Sequence, residues 1–400
     1  MIEFNWKFLS IALVCVLATG FTAPYASAFT INSNSLFIDD QGSQSVKLVN
    51  FVTSNTGTIS NFATTNINGP RGIIFTSSPP TVPPMLVANQ FPNTNQPGDI
   101  AKYDPSNGNF LGPLVSQSDP DAPHAPRGVV LSPDHNVLYV ADFTETIPSQ
   151  ANTAGPGLIR TYVASGPNAG HFIASYSAQG VLRPSGDQFN PRGIVFGPDG
   201  LLYISVFDTR NPLTGYILTF NPSTSAFSIL VASNAANHYA SGIHRPEGIV
   251  FDPSGKSLWV TSFCDRSLAC PGTNNVDMIM EFDLSGCQTN TACLPSHTIP
   301  LESSTGTTRT YAQVILFGPN LDGTNENLYV PIQTTGELRV YETSHNTFTS
   351  VQLSGSGSPL IQPWYLSFRG TDPSTLAYHP ISLSALSSSP VNWWAKPFQP

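Results

Sequence analysis

Charge is what this 400-residue chain has least of. Asp, Glu, Lys and Arg make up only 10% of it, against roughly a quarter in an ordinary soluble domain. The few charges lean acidic, 25 against 16, for a net charge of −9. With no basic cluster and no aromatic–basic interleaving, the composition excludes a nucleic-acid-binding surface and favours solubility. A second scarcity is of helical pattern. Beyond residue 28 no long apolar stretch repeats at 3.6 residues, which excludes a helical bundle or solenoid. Nor, beyond residue 28, is there an apolar run long enough to span a membrane. The familiar catalytic signatures are missing too: no His-Glu-x-x-His, no Gly-x-Ser-x-Gly, no phosphate loop and no dinucleotide fingerprint. Asn-x-Ser/Thr acceptors are absent, so classical N-glycosylation is not expected.

What the amino terminus does have is Lys7, an apolar run over 8–21 and then Ala26-Ser27-Ala28. That is the layout of a secretory signal cut before Phe29; an uncleaved anchor is the alternative. The division expected is a signal peptide at 1–28, one repeat domain at 29–380 and a tail at 381–400, with a secreted, periplasmic or extracellular location. Four cysteines follow the signal, and an even count in an exported chain points to two disulfides. If a strand covers residues 276–284, its ends stand roughly 25–30 Å apart at ~3.3 Å per residue. A bridge needs Cα atoms within about 7 Å, so the expected pairs are local: Cys264–Cys270 and Cys287–Cys293. The same separation speaks against a four-cysteine metal site.

Past the signal the chain repeats itself. Pro126-Arg127-Gly128 leads a short apolar run, a Pro/Asp turn and then Leu138-Tyr139-Val140. Pro191-Arg192-Gly193 leads to Leu202-Tyr203-Ile204, and Pro246-Glu247-Gly248 to Leu258-Trp259-Val260. Each copy is a β-hairpin in writing. Weaker copies begin at Pro70, Ala312 and Pro363, and the six motif positions (Gly72, Gly128, Gly193, Gly248, Val314, Tyr365) lie 51 to 66 residues apart. That spacing holds four strands. Third strands are expected at Ile100–Tyr103, Tyr216–Phe220, Met278–Phe282 and Leu338–Tyr341. The fold predicted is all-β: a six-bladed β-propeller of four-stranded antiparallel blades, its ring closed by amino-terminal strands completing the last blade. For that blade the expectation is a carboxy-terminal hairpin over 363–378 joined to an amino-terminal hairpin over 46–62.

In such blades the loop into the first strand and the loop after the second emerge on one face. That face collects Arg71, Arg127, Arg192 and Glu247 at the same motif position, with His124 and His244 two residues before their motif prolines and Asp119 and Asp121 nearby. Three arginines from successive blades could hold a carboxylate, sulfate or phosphate; alternatively each ties its blade to a neighbouring carbonyl or carboxylate. Asp119, Asp121, His124 and Glu247 have the chemistry of ligands for Ca²⁺, Mg²⁺, Mn²⁺ or Zn²⁺, yet Asp119-Pro-Asp-Ala-Pro is also ordinary turn sequence.

The unit Pro-x-Gly-Ile/Val-x-Phe-x-Pro-x-Gly-x-Leu-Tyr-Val resembles the NHL repeat and its gluconolactonase/regucalcin and streptogramin-lyase relatives. The resemblance implies a propeller; it does not fix an activity. Gluconolactonase-like relatives place an ion on a Glu-Gly, which Glu247-Gly248 resembles, and on an Asn where this chain reads Pro-Arg-Gly. Amidating lyases of similar shape use histidines directly after the motif proline. Here those places hold Arg71, Arg127, Arg192, Glu247, Gln313 and Trp364. The leading expectation is an exported propeller that binds a small molecule or an extracellular protein around its central channel. The alternative is a lactonase- or lyase-like enzyme with one divalent cation at Glu247, Asp119 and Asp121, with His124 or His244 as general base and the arginines steadying an oxyanion. A structural cell-surface role is third.

Overall fold

The motif folds as its pattern requires: its first apolar run becomes the innermost strand of a blade and its second run the neighbour. In the computed structural model the described residues are 29–379 without 77–82, 93, 95, 145–154, 183–185, 234–241, 265–275, 288–291, 303–308 and 323–325. The signal segment and the carboxy-terminal tail lie outside them. Six sheets stand in chain order around an axis. Blade one is Pro70–Phe75, Met85–Asn89, Asp99–Tyr103 and Phe110–Val115, and blade two Pro126–Leu131, Val137–Asp142, Leu158–Val163 and Phe172–Tyr176. Blade three is Asn190–Phe196, Leu202–Asp208, Asn211–Asn221 and Ala226–Ala232. Blade four is Pro246–Phe251, Ser257–Ser262, Met278–Asp283 and His297–Pro300, and blade five Leu316–Gly318, Asn327–Ile332, Glu337–Glu342 and Thr347–Ser350. Helix is limited to single turns at Gln41–Ser43 and Gln179–Leu182 among the described residues.

Burial grades outward from the axis, and the sequence grades with it. Pro70–Phe75 and Pro246–Phe251 are buried at every residue, and apart from Arg71 and Glu247 after the proline they read as apolar runs. The outermost strand Phe172–Tyr176 alternates instead, with Ile173 and Ser175 exposed.

The blades are joined by one contact used five times. The aromatic of each Leu-aromatic-Val/Ile strand meets, edge to face, the phenylalanine at or next to the end of the first strand of the next blade. The pairs are Tyr139–Phe196 at 5.2 Å, Tyr203–Phe251 at 5.0 Å, Trp259–Phe317 at 5.8 Å, Tyr329–Phe368 at 4.8 Å and Phe37–Phe75 at 4.8 Å between ring centroids. Such pairs add about 0.5–1.5 kcal/mol each beyond area burial. Between blades one and two, where the motif reads Leu86-Val87 and Leu131, the packing is aliphatic.

Closure departs from the expected two-plus-two arrangement. The inner strand, Pro363–Phe368, comes from the carboxy-terminal side; it pairs with Leu36–Asp40, followed outward by Ser45–Thr53 and Thr56–Ala63. Gln352–Ser354 adds a fifth, parallel strand at the rim. Thr375–Tyr378 forms no second strand, contributing a single bridge from Tyr378 to Thr371. The reason is in the residues. Leu36-Phe37-Ile38 carries the Leu-aromatic-Ile signature and delivers Phe37 to Phe75, whereas Thr375-Leu376-Ala377 has no aromatic in that register.

Candidate functional site at the channel mouth

A β-bulge aims the motif side chains at the axis. In blade three Pro191 pairs with Val206 and Ile194 with Ile204, so three steps on the inner strand face two on its partner. The same irregularity falls at Pro126/Val129, Pro246/Ile249 and Pro70/Gly72. An extra residue in one strand turns its side chain out of the regular alternation. The residue after the motif proline is thereby presented to the channel in blade after blade. The glycine that follows allows the blades to close up there. A Cβ on Gly193 would stand 2.4 Å from the carbonyl oxygen of Glu247, and one on Gly128 2.7 Å from that of Arg192.

The product is a collar of six side chains, one per blade: Arg71, Arg127, Arg192, Glu247, Gln313 and Trp364 all line the channel mouth. It opens into a cavity of about 580 Å³ walled also by Arg245, Phe263, Tyr311, Gln333 and Ile361. Residues just beyond the second strands form a second tier. Arg71 donates from Nε to Gln90 Oε1 at 2.8 Å, and its guanidinium lies 3.2 Å over the Trp364 ring. The Arg192 guanidinium sits 3.9 Å from the Phe143 ring centre and 4.3 Å from that of Phe207, with Nη1 3.1 Å from Glu247 Oε1. Arg127 is 5.2 Å from the Trp364 ring and 5.3 Å from that of Phe143.

The collar carries more positive charge than the described residues offset. Glu247 is paired with Arg192. Asp39, fully buried on the second strand of the closing blade, is the next carboxyl; burial pushes it well above the usual range, against the lowering effect of Arg71. Burial and then Arg127 hold the Arg71 guanidinium well below its ordinary pKa; burial does the same for Arg192, which Glu247 partly offsets. Several buried donors find no acceptor among the described residues: Arg71 Nη1, Arg127 Nε and Nη1, Arg192 Nε and Trp364 Nε1. Buried polar groups left this way cost about 1–3 kcal/mol each, more when charged. Here five such donors belong to four residues of the collar, of which Arg127, Arg192 and Trp364 also line the wider cavity.

Arg71, Arg127, Arg192 and Glu247 are thus brought together, and tying the blade to a neighbouring carboxylate accounts only for Arg192; Arg71 bonds Gln90 of its own blade and stacks on Trp364 of the closing one. The other expected site residues stand apart from this lining. Asp119 caps its own turn, accepting from the Asp121 backbone N–H at 2.8 Å, and the Asp121 carbonyl accepts from the Tyr162 hydroxyl at 2.7 Å. The backbone N–H of His124 donates to Asp142, which also holds Arg160. His244 is buried with Nδ1 2.8 Å from the Leu213 carbonyl; a carbonyl only accepts, so Nδ1 carries the proton. Neither imidazole lines the channel cavity. No three His, Cys, Asp or Glu side chains converge as ligands for one ion among the described residues. Glu247, facing guanidiniums, lies where a second cation is repelled. The expected donor set does not fit a divalent ion. Cys287–Cys293 is bonded as expected. Cys264 is also disulfide-bonded; its expected partner Cys270 lies outside the described residues.

The aromatic tier and the glutamines were not among the residues predicted for the site. Their signal was positional: Gln313 and Trp364 occupy the motif place in the two weakest repeats, and Phe143, Phe207 and Phe263 recur where second strands end.

No family model matches the chain, and no curated protein matches it. Solved structures do. A chain of a nidogen/laminin complex superposes with a TM-score of 0.52 at 14% identity, over 83% of this chain and 97% of that one. A periplasmic gluconolactonase of Pseudomonas aeruginosa gives 0.51 at 14%, over 84% and 98%. A Lactobacillus plantarum protein gives 0.50 at 13%, over 84% and 99%. At these identities the likeness is of fold: this is a six-bladed β-propeller, as the NHL-type motif implied. No described helix is long and apolar enough to cross a membrane.

Proposed function

We propose that this protein is an exported ligand-binding propeller whose site is the channel mouth, and that its ligand is an anion. The reading is carried by the guanidiniums of Arg71, Arg127 and Arg192, gathered in one collar with unmatched N–H donors and a single paired carboxylate among them; two of these arginines, Arg127 and Arg192, also line the cavity above it. Guanidinium donors suit oxyanions by charge and by geometry. Holding like charges together is costly, and an anion repays that cost on arrival. Metal-assisted turnover at Glu247 has less support, because Arg192 already occupies the carboxylate and neither His124 nor His244 reaches the cavity lining.

Titration calorimetry at low ionic strength tests the reading. Small oxyanions should bind at one site per chain, and Arg127→Met should weaken binding at least tenfold while leaving the fold intact. Equal affinity in wild type and variant would refute it.

A further inference from the structure

Resting on the anion reading, we propose that the natural ligand is an amphipathic organic oxyanion, its charged head on the arginines and an aryl or similarly flat apolar body against the opposite wall. The cavity is divided by blade order. Arg127, Arg192 and Arg245 approach from blades two, three and the loop before blade four, whereas Phe263, Tyr311, Ile361 and Trp364 follow from blades four to six. The apolar arc is built: Phe263 is buried and meets Tyr311 edge-on at 5.8 Å. Tyr311 is held by Arg309, whose Nη1 donates to its hydroxyl at 3.0 Å while Nη2 bonds Asp277 at 2.6 Å. Ile361 is 51% exposed, an apolar side chain left facing the cavity.

Size points the same way. At about 30 Å³ per water, 580 Å³ is room for roughly twenty waters, far more than a bare oxyanion displaces, and within the 300–1,000 Å³ of sites for organic ligands. Fixed donors meet the head, and apolar walls with the Gln313 and Gln333 amides meet the rest. A cationic ligand is excluded by Arg127, Arg192 and Arg245, and a purely apolar one would leave the arginine donors unmatched.

The test is a probe panel on the purified protein, read by calorimetry: phenylacetate and phenyl phosphate against acetate and inorganic phosphate, with benzylamine as the cationic control. The aryl anions should bind at least tenfold more tightly than the simple ones, a gap equivalent to burying about two methylenes, and benzylamine should not bind. Carboxylate and phosphate heads are told apart by which aryl probe is tighter. Arg127→Met should weaken both aryl probes at least tenfold; Ile361→Asn, at a half-exposed position, should narrow only the gap between aryl and simple anions. Equal affinity for simple and aryl anions would overturn the amphipathic ligand and leave the anion site standing. Binding by no anion would overturn both, and tight benzylamine binding would reverse the sign of the site.

Discussion

Replacing Glu247 by Gln removes one charge from the collar and little else, since the amide keeps an oxygen for Arg192. The magnitude follows from the pair. At 3.1 Å and an effective dielectric of about 20, the attraction is about 5 kcal/mol. Both side chains are nearly buried, so solvent recovers little of it, and losing one member of a buried pair costs about 3–5 kcal/mol. Spread over roughly 350 folded residues at about 2.1 cal/mol/K each, that is a fall of about 4–7 °C in Tm. Glu247 also moderates Arg71 and Arg127, so its loss leaves three guanidiniums repelling one another. The repulsion gives the experiment its second arm: sulfate should restore more of the lost Tm in Glu247→Gln than it adds to the wild type. Scanning calorimetry in chloride and sulfate at equal ionic strength reads both effects. A variant as stable as the wild type, or one indifferent to sulfate, would refute the uncompensated collar.

Other expectations follow from single contacts. Gly193→Ala drives a Cβ to within 2.4 Å of a backbone carbonyl of the next blade and should cost about 1–3 kcal/mol in urea unfolding; Gly180→Ala, with open space around it, should cost far less. Asp99 is raised to about 6 by burial, partly opposed by its hydrogen bond from Asn89. Its folded pKa exceeds its unfolded one, so its contribution is most favourable below about pH 4 and is lost as pH climbs towards 6, by about 3 kcal/mol in all. Asp99→Asn should therefore be more stable than wild type at pH 7 and not at pH 4, by urea titration at both. Opening Cys287–Cys293, six residues apart, by Cys→Ser at both positions should cost about 2 kcal/mol through the freed loop. Metal analysis after dialysis should find no stoichiometric ion dependent on Glu247; one ion per chain, lost in Glu247→Gln, would restore the lactonase-like alternative.

The hairpins were legible because inner strands of a propeller are buried on both faces and write themselves as apolar runs between turns. Leu158–Val163 was harder, since Arg160, buried against Asp142, breaks its run. The closing blade was misread for want of one comparison: Leu36-Phe37-Ile38 matches the second-strand signature and Thr375-Leu376-Ala377 does not. At the site, the register of the collar could be read directly from the motif, down to Gln313 and Trp364. Its meaning could not, because pairing of Arg192 with Glu247, stacking of Arg71 on Trp364 and the unmatched donors depend on the bulge and on how closely the glycines let the blades approach. The acidic turn at Asp119 and Asp121 shows the reverse: a ligand-type carboxylate, that of Asp119, which accepts from its own turn.

The three-plus-one closure also joins distant parts of the chain. Leu36–Ala63 precedes the other five blades in the chain, whereas its inner neighbour, Pro363–Phe368, follows them all. Without that neighbour three strands carry an open edge with nothing to pair with. Contacts spanning more than 300 residues carry a high loop-closure cost, and open edges are what draws strands into aggregation. Closure of the ring therefore depends on Pro363–Phe368, which supplies both the missing inner strand and, through Trp364, one member of the collar.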